Sequence, residues 1–178
     1  MQKVSGMKKE DEIAFYLKKF LELDKNRDRD EEMVVLTKLI ELDPYCETHY
    51  YNRGVLYGYL DQLGKAIADY TKAVELNPKH TLARGNRGVC YFDLGDLDSA
   101  IWDIAWAVKI DPGSIHSINL PNMYYWRAEK NAKEGRTDKV IEDCNYLITN
   151  FPNYFLIDEV RKILEDAYKK TQKQEEAA

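Results

Sequence analysis

The sequence predicts an all-α chain, an α-solenoid of stacked helix-turn-helix hairpins, about four of them, closed by a C-terminal capping helix. Three observations carry that expectation. First, Glu47–His80 and Thr81–Ser114 align without gaps at a spacing of 34 residues, sharing Asn52/Asn86, Arg53/Arg87, Gly54/Gly88, Val55/Val89, Tyr57/Tyr91, Ala66/Ala100, Asp69/Asp103 and Ala73/Ala107. Second, each period carries two apolar stripes at helical spacing. Third, each period ends on a proline at the same place, Pro78 and Pro112. A fixed period of this length marks an array of small supersecondary units rather than a single-core enzyme fold.

Within one period the elements follow in order. Tyr50, Arg53, Gly54 and Tyr57 fall at the i, i+3, i+4, i+7 positions of one helix face. A break follows, at Asp61 in one copy and Gly95 in the other. Leu63, Ala66, Ile67, Tyr70, Ala73 and Val74 form the stripe of a second helix, and Pro78 ends it, because proline cannot continue a helix interior. Gly54 and Ala66 sit where the two helices of a hairpin cross. Glycine costs about 1 kcal/mol in a helix relative to alanine, so its recurrence at Gly88 requires a packing reason.

These residues resemble the tetratricopeptide repeat (TPR) family: Tyr50-x₂-Arg53-Gly54-x₂-Tyr57, Ala66-x₃-Tyr70 and Pro78, then Arg84-x₂-Arg87-Gly88-x₂-Tyr91, Ala100-x₃-Ile104 and Pro112. Arg84 departs from the pattern by replacing the first aromatic. Carried along the chain, the register gives a leader at 1–12, a degenerate unit at 13–46, repeats at 47–80 and 81–114, an insert at 115–120, a unit at 121–154, a capping helix at 155–172 and a frayed tail at 173–178. In the degenerate unit Phe20 replaces the glycine, and a charged turn runs Asn26-Arg27-Asp28-Arg29-Asp30. In the fourth unit Ala128 takes the glycine place and Val140 the alanine place. No length remains for a separate catalytic domain, so the chain is expected not to be an enzyme.

A charge pair recurs with the period. The seventh position is Arg53, Arg87 and Arg127, and the twenty-third is Asp69, Asp103 and Asp143; the first unit has Lys19 and Val35 there. An arginine on a helix-facing stripe is costly unless paired, so Arg–Asp bridges inside or between units are expected, bidentate where geometry permits. A ladder of arginines reading an acidic ligand is the weaker alternative, since the matched aspartates would neutralise it.

The family resemblance implies a concave face lined by the first helix of each unit. The peptide-groove candidates are then Tyr51, Asn52, Val55 and Tyr59, Leu82, Asn86, Val89 and Phe92, and Tyr125 and Trp126. Aromatic rings supply contact area and asparagine amides can bond peptide backbone as donor and acceptor. The family's best-known mechanism is a carboxylate clamp of lysine, asparagine and arginine that grips a chaperone's C-terminal tail. Its lysine and first asparagine places hold Leu17 and Leu21, and its last lysine and arginine places hold Leu82 and Asn86. Chaperone-tail binding of that kind is therefore not expected.

Bulk properties narrow the function classes further. The net charge of −5 argues against nucleic acid, which needs a dense basic face. No apolar run approaches the roughly 20 residues that span a bilayer, and the N-terminus lacks the apolar core of a secretion signal. Three widely separated cysteines, Cys46, Cys90 and Cys144, suggest free thiols and a cytoplasmic location. No cofactor or metal is expected: His49, His80 and His116 are read as having no cysteine or carboxylate at metal-ligand spacing, and Cys90 and Cys144 as packing residues. Of Trp102 and Trp106, four apart on a second helix, one is read as core and one as exposed. The leading function is a non-enzymatic interaction scaffold that binds a peptide segment of another protein in the groove. The alternative is an assembly subunit that self-associates or docks through the convex face and the end helices, and a monomer or weak homodimer is expected.

Overall fold

The computed structural model describes residues 6–26 and 28–176. The described residues form nine α-helices, one short 3-10 helix and no strand. They divide into two compact units, one up to Leu94 and one from Gly95.

The first unit holds α1 (Lys9–Asn26), α2 (Arg29–Leu42), α3 (Glu47–Tyr59), α4 (Leu63–Leu76) and α5 (Thr81–Asp93). Each helix packs on the next in chain order, which is the logic of stacked helix hairpins. Leu23, Val35, Leu36 and Leu39 of α1 and α2 bury against Leu56 of α3, and Ala66, Tyr70, Ala73 and Val74 of α4 bury against Ala83 and Cys90 of α5. Helix ends follow local chemistry. The Asp28 side chain accepts from the Glu31 amide at the start of α2. The chain leaves α2 at Asp43-Pro44 and α4 at Asn77-Pro78, because the residue before a proline is pushed out of the α region.

The second unit holds α6 (Leu97–Ile110), a 3-10 turn at Ile115–Ile118, α7 (Leu120–Lys133), α8 (Thr137–Asn150) and α9 (Ile157–Glu176). Ala128 of α7, Val140, Cys144 and Leu147 of α8, Tyr154, and Val160 and Ala167 of α9 form its core. The turns that precede α4, α6 and α8 each need one left-handed residue: Asp61 at φ 55°, Gly95 at φ 79° and Gly135 at φ 74°. Glycine adopts that conformation freely, and aspartate tolerates it because its short polar side chain can bond locally.

Gly54 meets the packing requirement at the α3–α4 crossing: a Cβ built there would lie 2.8 Å from Cε1 of Tyr70. Tyr70 is 3% exposed, so its ring has nowhere to go.

The structure differs from the sequence reading at both ends. Helix α1 begins at Lys9, inside the stretch read as a leader, and α9 continues to Glu176 through most of the expected tail. Acidic Glu10, Asp11 and Glu12 favour the positive N-terminal end of α1. Spaced charged pairs such as Lys169–Glu165 give α9 local support where the apolar stripe runs out. Residues 1–5, Arg27 and residues 177–178, parts of the expected leader, charged turn and tail, lie outside the described residues.

Candidate functional site

Arginine–aspartate geometry is the most regular feature of both units. Arg53 of α3 donates from Nε and Nη2 to the two carboxylate oxygens of Asp69 on α4, both at 2.8 Å. Its remaining Nη1 turns back to Thr37 Oγ1 on α2 at 3.4 Å. Arg87 Nη1 reaches Thr71 Oγ1 on α4 at 3.0 Å in the same way. In the second unit Arg127 of α7 holds Asp143 of α8 through Nε (3.0 Å) and Nη2 (2.6 Å), and its Nη1 reaches back to Asp98 of α6 at 2.7 Å. Arg53 and Arg127 thus each tie their own hairpin and also the preceding helix, and Arg87 reaches the preceding helix. Burial works against the charged form of Arg127, but its bonds to Asp143 and Asp98 outweigh it and raise its pKa. For Arg53 the bond to Asp69 is the largest influence and acts in the same direction. The remaining pair in the sequence reading, Arg87 with Asp103, has one member in each unit and stays an expectation. In the degenerate first hairpin Lys19 pairs instead with Glu31 at 2.6 Å.

Of the groove candidates in the first unit, Asn52, Val55, Tyr59, Asn86 and Val89 line two concavities that share Val55 and Tyr59, and Tyr51, Leu82 and Phe92 line neither. One, about 640 Å³, is lined by Phe20, Arg29, Glu32, Asn52, Val55, Leu56 and Tyr59. The other, about 300 Å³, is lined by residues that include Val55, Tyr59, Asn86, Val89 and Asp93. Tyr59 stands between them at 69% exposure, and the Arg29 guanidinium lies 4.1 Å from its ring centroid. Leu82 is exposed; Tyr51, Asn52, Val55, Asn86, Val89 and Phe92 are half-buried.

Two of these side chains are already engaged. Burial pushes the Tyr51 and Tyr70 hydroxyls up, against the opposing influence of a hydrogen bond from the Asn86 side chain to each. The Tyr51 ring also packs against His80, 4.8 Å between centroids, and His80 Nδ1 accepts from the Ala83 amide to cap α5. Asn52 lines the larger concavity.

Phe20, Arg29 and Glu32 were not among the residues read as groove lining. A signal was present. Where other hairpins cross on small residues, such as Gly54 with Ala66, the first carries Phe20 and Glu32, and both line the larger concavity.

In the second unit Tyr125 is half-buried and donates to Glu129 Oε1 at 3.1 Å, and Trp126 is 42% exposed. A third concavity, about 770 Å³, opens on the α6–α8 side and is lined by Trp102, Trp106, Tyr124, Tyr146 and Phe151 among others. Trp102 is 72% exposed and Trp106 half-buried.

One sequence expectation does not hold. Asp43, Cys46 and His49 bring a carboxylate oxygen, a thiol sulfur and an imidazole nitrogen within 4.8 Å of one another in the α2–α3 turn. The three residues are spaced by three and three where the end of α2 and the start of α3 converge. Cys90 and Cys144 are different: both are buried, and burial pushes their thiols up to about 11 and about 12. Thiols held protonated in this way are poor nucleophiles.

The tetratricopeptide repeat family profile matches residues 49–80. No curated protein matches the chain. Among solved structures, the "First TPR of Spaghetti (RPAP3) bound to HSP90 peptide SRMEEVD" is 27% identical, with a TM-score of 0.62 over 66% of this chain and 94% of that one. The first TPR domain of human RPAP3 is 28% identical, with a TM-score of 0.59 over 67% of this chain and 94% of that one. A tetratricopeptide repeat protein from Parabacteroides merdae, 22% identical with a TM-score of 0.54, covers 90% of this chain and 60% of its own, and shows the fold alone. The 34-residue period, the Gly54–Tyr70 crossing, the stacked hairpins and these likenesses agree: residues 49–80 are a tetratricopeptide repeat, and the described residues have the fold of tetratricopeptide-repeat domains.

Proposed function

We propose that this protein is a non-enzymatic interaction scaffold that binds an extended or helical peptide segment of a partner protein along the α3 and α5 face of its first unit. The observation that carries the reading is the pair of concavities sharing Val55 and Tyr59, with an exposed ring between them and Asn52 and Asn86 on their walls. An exposed aromatic flanked by amides suits a ligand that offers apolar side chains and free backbone groups. The likeness to a domain bound to an HSP90 peptide supports peptide binding as the class of activity. The ligand itself should differ. That peptide ends in acidic residues, and the places that hold basic clamp residues by family resemblance are Leu17, Leu82 and Asn86 here. Among the described residues, the arginine that lines the larger concavity, Arg29, lies against Tyr59 and shares the wall with Glu32.

Among the described residues no helix is long and apolar enough to cross a membrane. Three free cysteines suit a reducing compartment, and the cytoplasm is the proposed location.

Selection from a displayed peptide library tests the reading, using the full chain as bait and a Tyr59→Ala/Asn52→Ala/Asn86→Ala variant as counter-bait. Enriched sequences that bind the wild type and not the variant support it. Enrichment of peptides indifferent to the variant, or of SRMEEVD-like acidic tails, contradicts it.

A second reading, assembly or docking through the second-helix side, is favoured by the aromatic concavity around Trp102 and Trp106. Sedimentation across a wide concentration range, with Trp102→Ala alongside, separates the two.

A further inference from the structure

The α2–α3 turn holds a cluster that the repeat architecture does not require. Asp43 caps the C-terminus of α2, Cys46 occupies the N-cap place of α3, and His49 is the third residue of α3. The same three places in the next turn, 34 residues on, hold Asn77, His80 and Ala83. That comparison separates what is structural from what is not. Asp43 Oδ1 accepts from the Tyr45 amide, as Asn77 Oδ1 accepts from Lys79 and Asp111 Oδ1 from Gly113. This turn bond is a repeated structural feature, and it leaves the second carboxylate oxygen of Asp43 unused.

Cys46 and His49 have no such role. At the other caps, Asp28, His80 and Asp96 accept a bond from the helix amides, whereas the Cys46 side chain makes none. His49 is 5% exposed, and burial holds its imidazole beside Asp43 and Cys46.

We infer that Asp43, Cys46 and His49 bind a divalent transition-metal ion of the zinc class, with the fourth coordination position open. Tetrahedral bonds of about 2.3 Å to sulfur and about 2.0–2.1 Å to nitrogen or oxygen place ligand atoms roughly 3.4–3.6 Å apart. The three atoms lie within 4.8 Å of one another, a gap that side-chain rotation closes. The backbone carrying them is fixed. Cys46 N bonds Asp43 O, His49 N bonds Cys46 O, and the Tyr50 hydroxyl donates to Pro44 O at 3.3 Å. The mixed sulfur, nitrogen and oxygen set selects zinc-like ions over magnesium or calcium, which take oxygen ligands. The two helix ends meeting here carry opposite partial charges, so the α3 N-terminus does not by itself repel a cation. The bound ion would clamp α2 to α3 beside the concavity that Asn52 and Tyr59 line.

The repeat itself supplies variants that remove the ligands and keep the fold. Asp43→Asn restores what Asn77 does in the next turn, and Cys46→Ser provides a better N-cap. The experiment titrates the full, reduced chain with Co²⁺ and reads the thiolate-to-cobalt charge-transfer band and the tetrahedral visible bands, then repeats the titration with Zn²⁺ by calorimetry and by melting. The expected result is saturation at one ion per chain, a Zn²⁺-dependent rise in melting temperature, and no response to Mg²⁺. Asp43→Asn should weaken binding by at least about 10-fold, the loss typical of even an outer partner of a ligand. Cys46→Ser should abolish the charge-transfer band while the metal-free protein melts no lower than wild type. A band that survives Cys46→Ser, or no saturable binding to the wild type, overturns the inference.

Discussion

Removing Asp143 should expose how much the arginine staple contributes. Its carboxylate is 1% exposed and takes two bonds from Arg127, whose side chain is 18% exposed. Breaking a buried pair by deleting one partner costs about 3–5 kcal/mol, because a desolvated charge is left uncompensated. Arg127 keeps some solvent and its 2.7 Å contact with Asp98, so Asp143→Ala belongs at the lower end, about 3 kcal/mol. For a chain of this size, at roughly 2–4 °C per kcal/mol, the melting temperature should fall by about 6–12 °C. Asp98 makes an equally short bond but is 68% exposed, and Asp98→Ala should cost only about 0–1 kcal/mol. Burial, not bond length, decides the difference. The double variant Arg127→Met/Asp143→Leu removes both charges and fills the space, and should recover most of the loss. Thermal and urea unfolding of the four chains measure this. Equal losses for Asp98→Ala and Asp143→Ala, or a double variant worse than Asp143→Ala, would refute the reasoning.

Three further outcomes are expected. Gly54→Ala gains up to about 1 kcal/mol of helix propensity but drives a Cβ to 2.8 Å from the buried Tyr70 ring, for a net loss of about 1–2 kcal/mol; Gly64→Ala, with nothing within 4 Å of its Cβ, should stabilise, and unfolding curves that agree in sign for the two would contradict the packing argument. Burial holds His80 and His116 below the ordinary histidine value of 6.5, so the unfolded chain takes up protons first: stability is constant above that value and falls as pH drops through it towards the folded values. Because protonated His80 Nδ1 cannot accept from Ala83, His80→Asn should flatten part of that slope in melting curves between about pH 7 and 5, and an unchanged slope would place the acid sensitivity elsewhere. Deleting the chain after Tyr154 removes Val160 and Ala167 from the core that Val140, Cys144 and Leu147 share; the truncated protein should aggregate or melt earlier, and a soluble chain with an unchanged midpoint would refute this.

Much of the fold was legible in the sequence because its determinants are local and repeated. Proline after an Asx residue closes α2, α4 and α6, and a left-handed residue at Asp61, Gly95 and Gly135 turns the chain before α4, α6 and α8. Gly54 announced a close crossing before Tyr70 could be named as its cause. The ends were less legible: α1 and α9 extend through polar stretches where charge pairing and the helix dipole, rather than an apolar stripe, carry the helix.

The candidate site was half legible. Position within the unit picked Asn52, Val55, Tyr59 and Asn86, but not that Asn86 is engaged by Tyr51 and Tyr70. Nor did it show that the first hairpin contributes Phe20, Arg29 and Glu32, because the degenerate unit has lost the small residues that fix the register. The Asp43–Cys46–His49 cluster was hidden for a different reason: the unit boundary between 46 and 47 separates Asp43 and Cys46 from His49, and the turn between α2 and α3 brings them together.

The central claim is that a peptide binds between α3 and α5 of the first unit. Fluorescence anisotropy of a library-selected peptide against wild type, Tyr59→Ala, Asn52→Ala and Trp102→Ala tests it most directly. Loss of an exposed aromatic anchor at a binding hot spot costs about 2 kcal/mol or more, a drop of roughly 30-fold in affinity. The account predicts that drop for Tyr59→Ala, a smaller one for Asn52→Ala and none for Trp102→Ala. Unchanged affinity for Tyr59→Ala with a loss for Trp102→Ala would contradict it and place the binding face in the second unit.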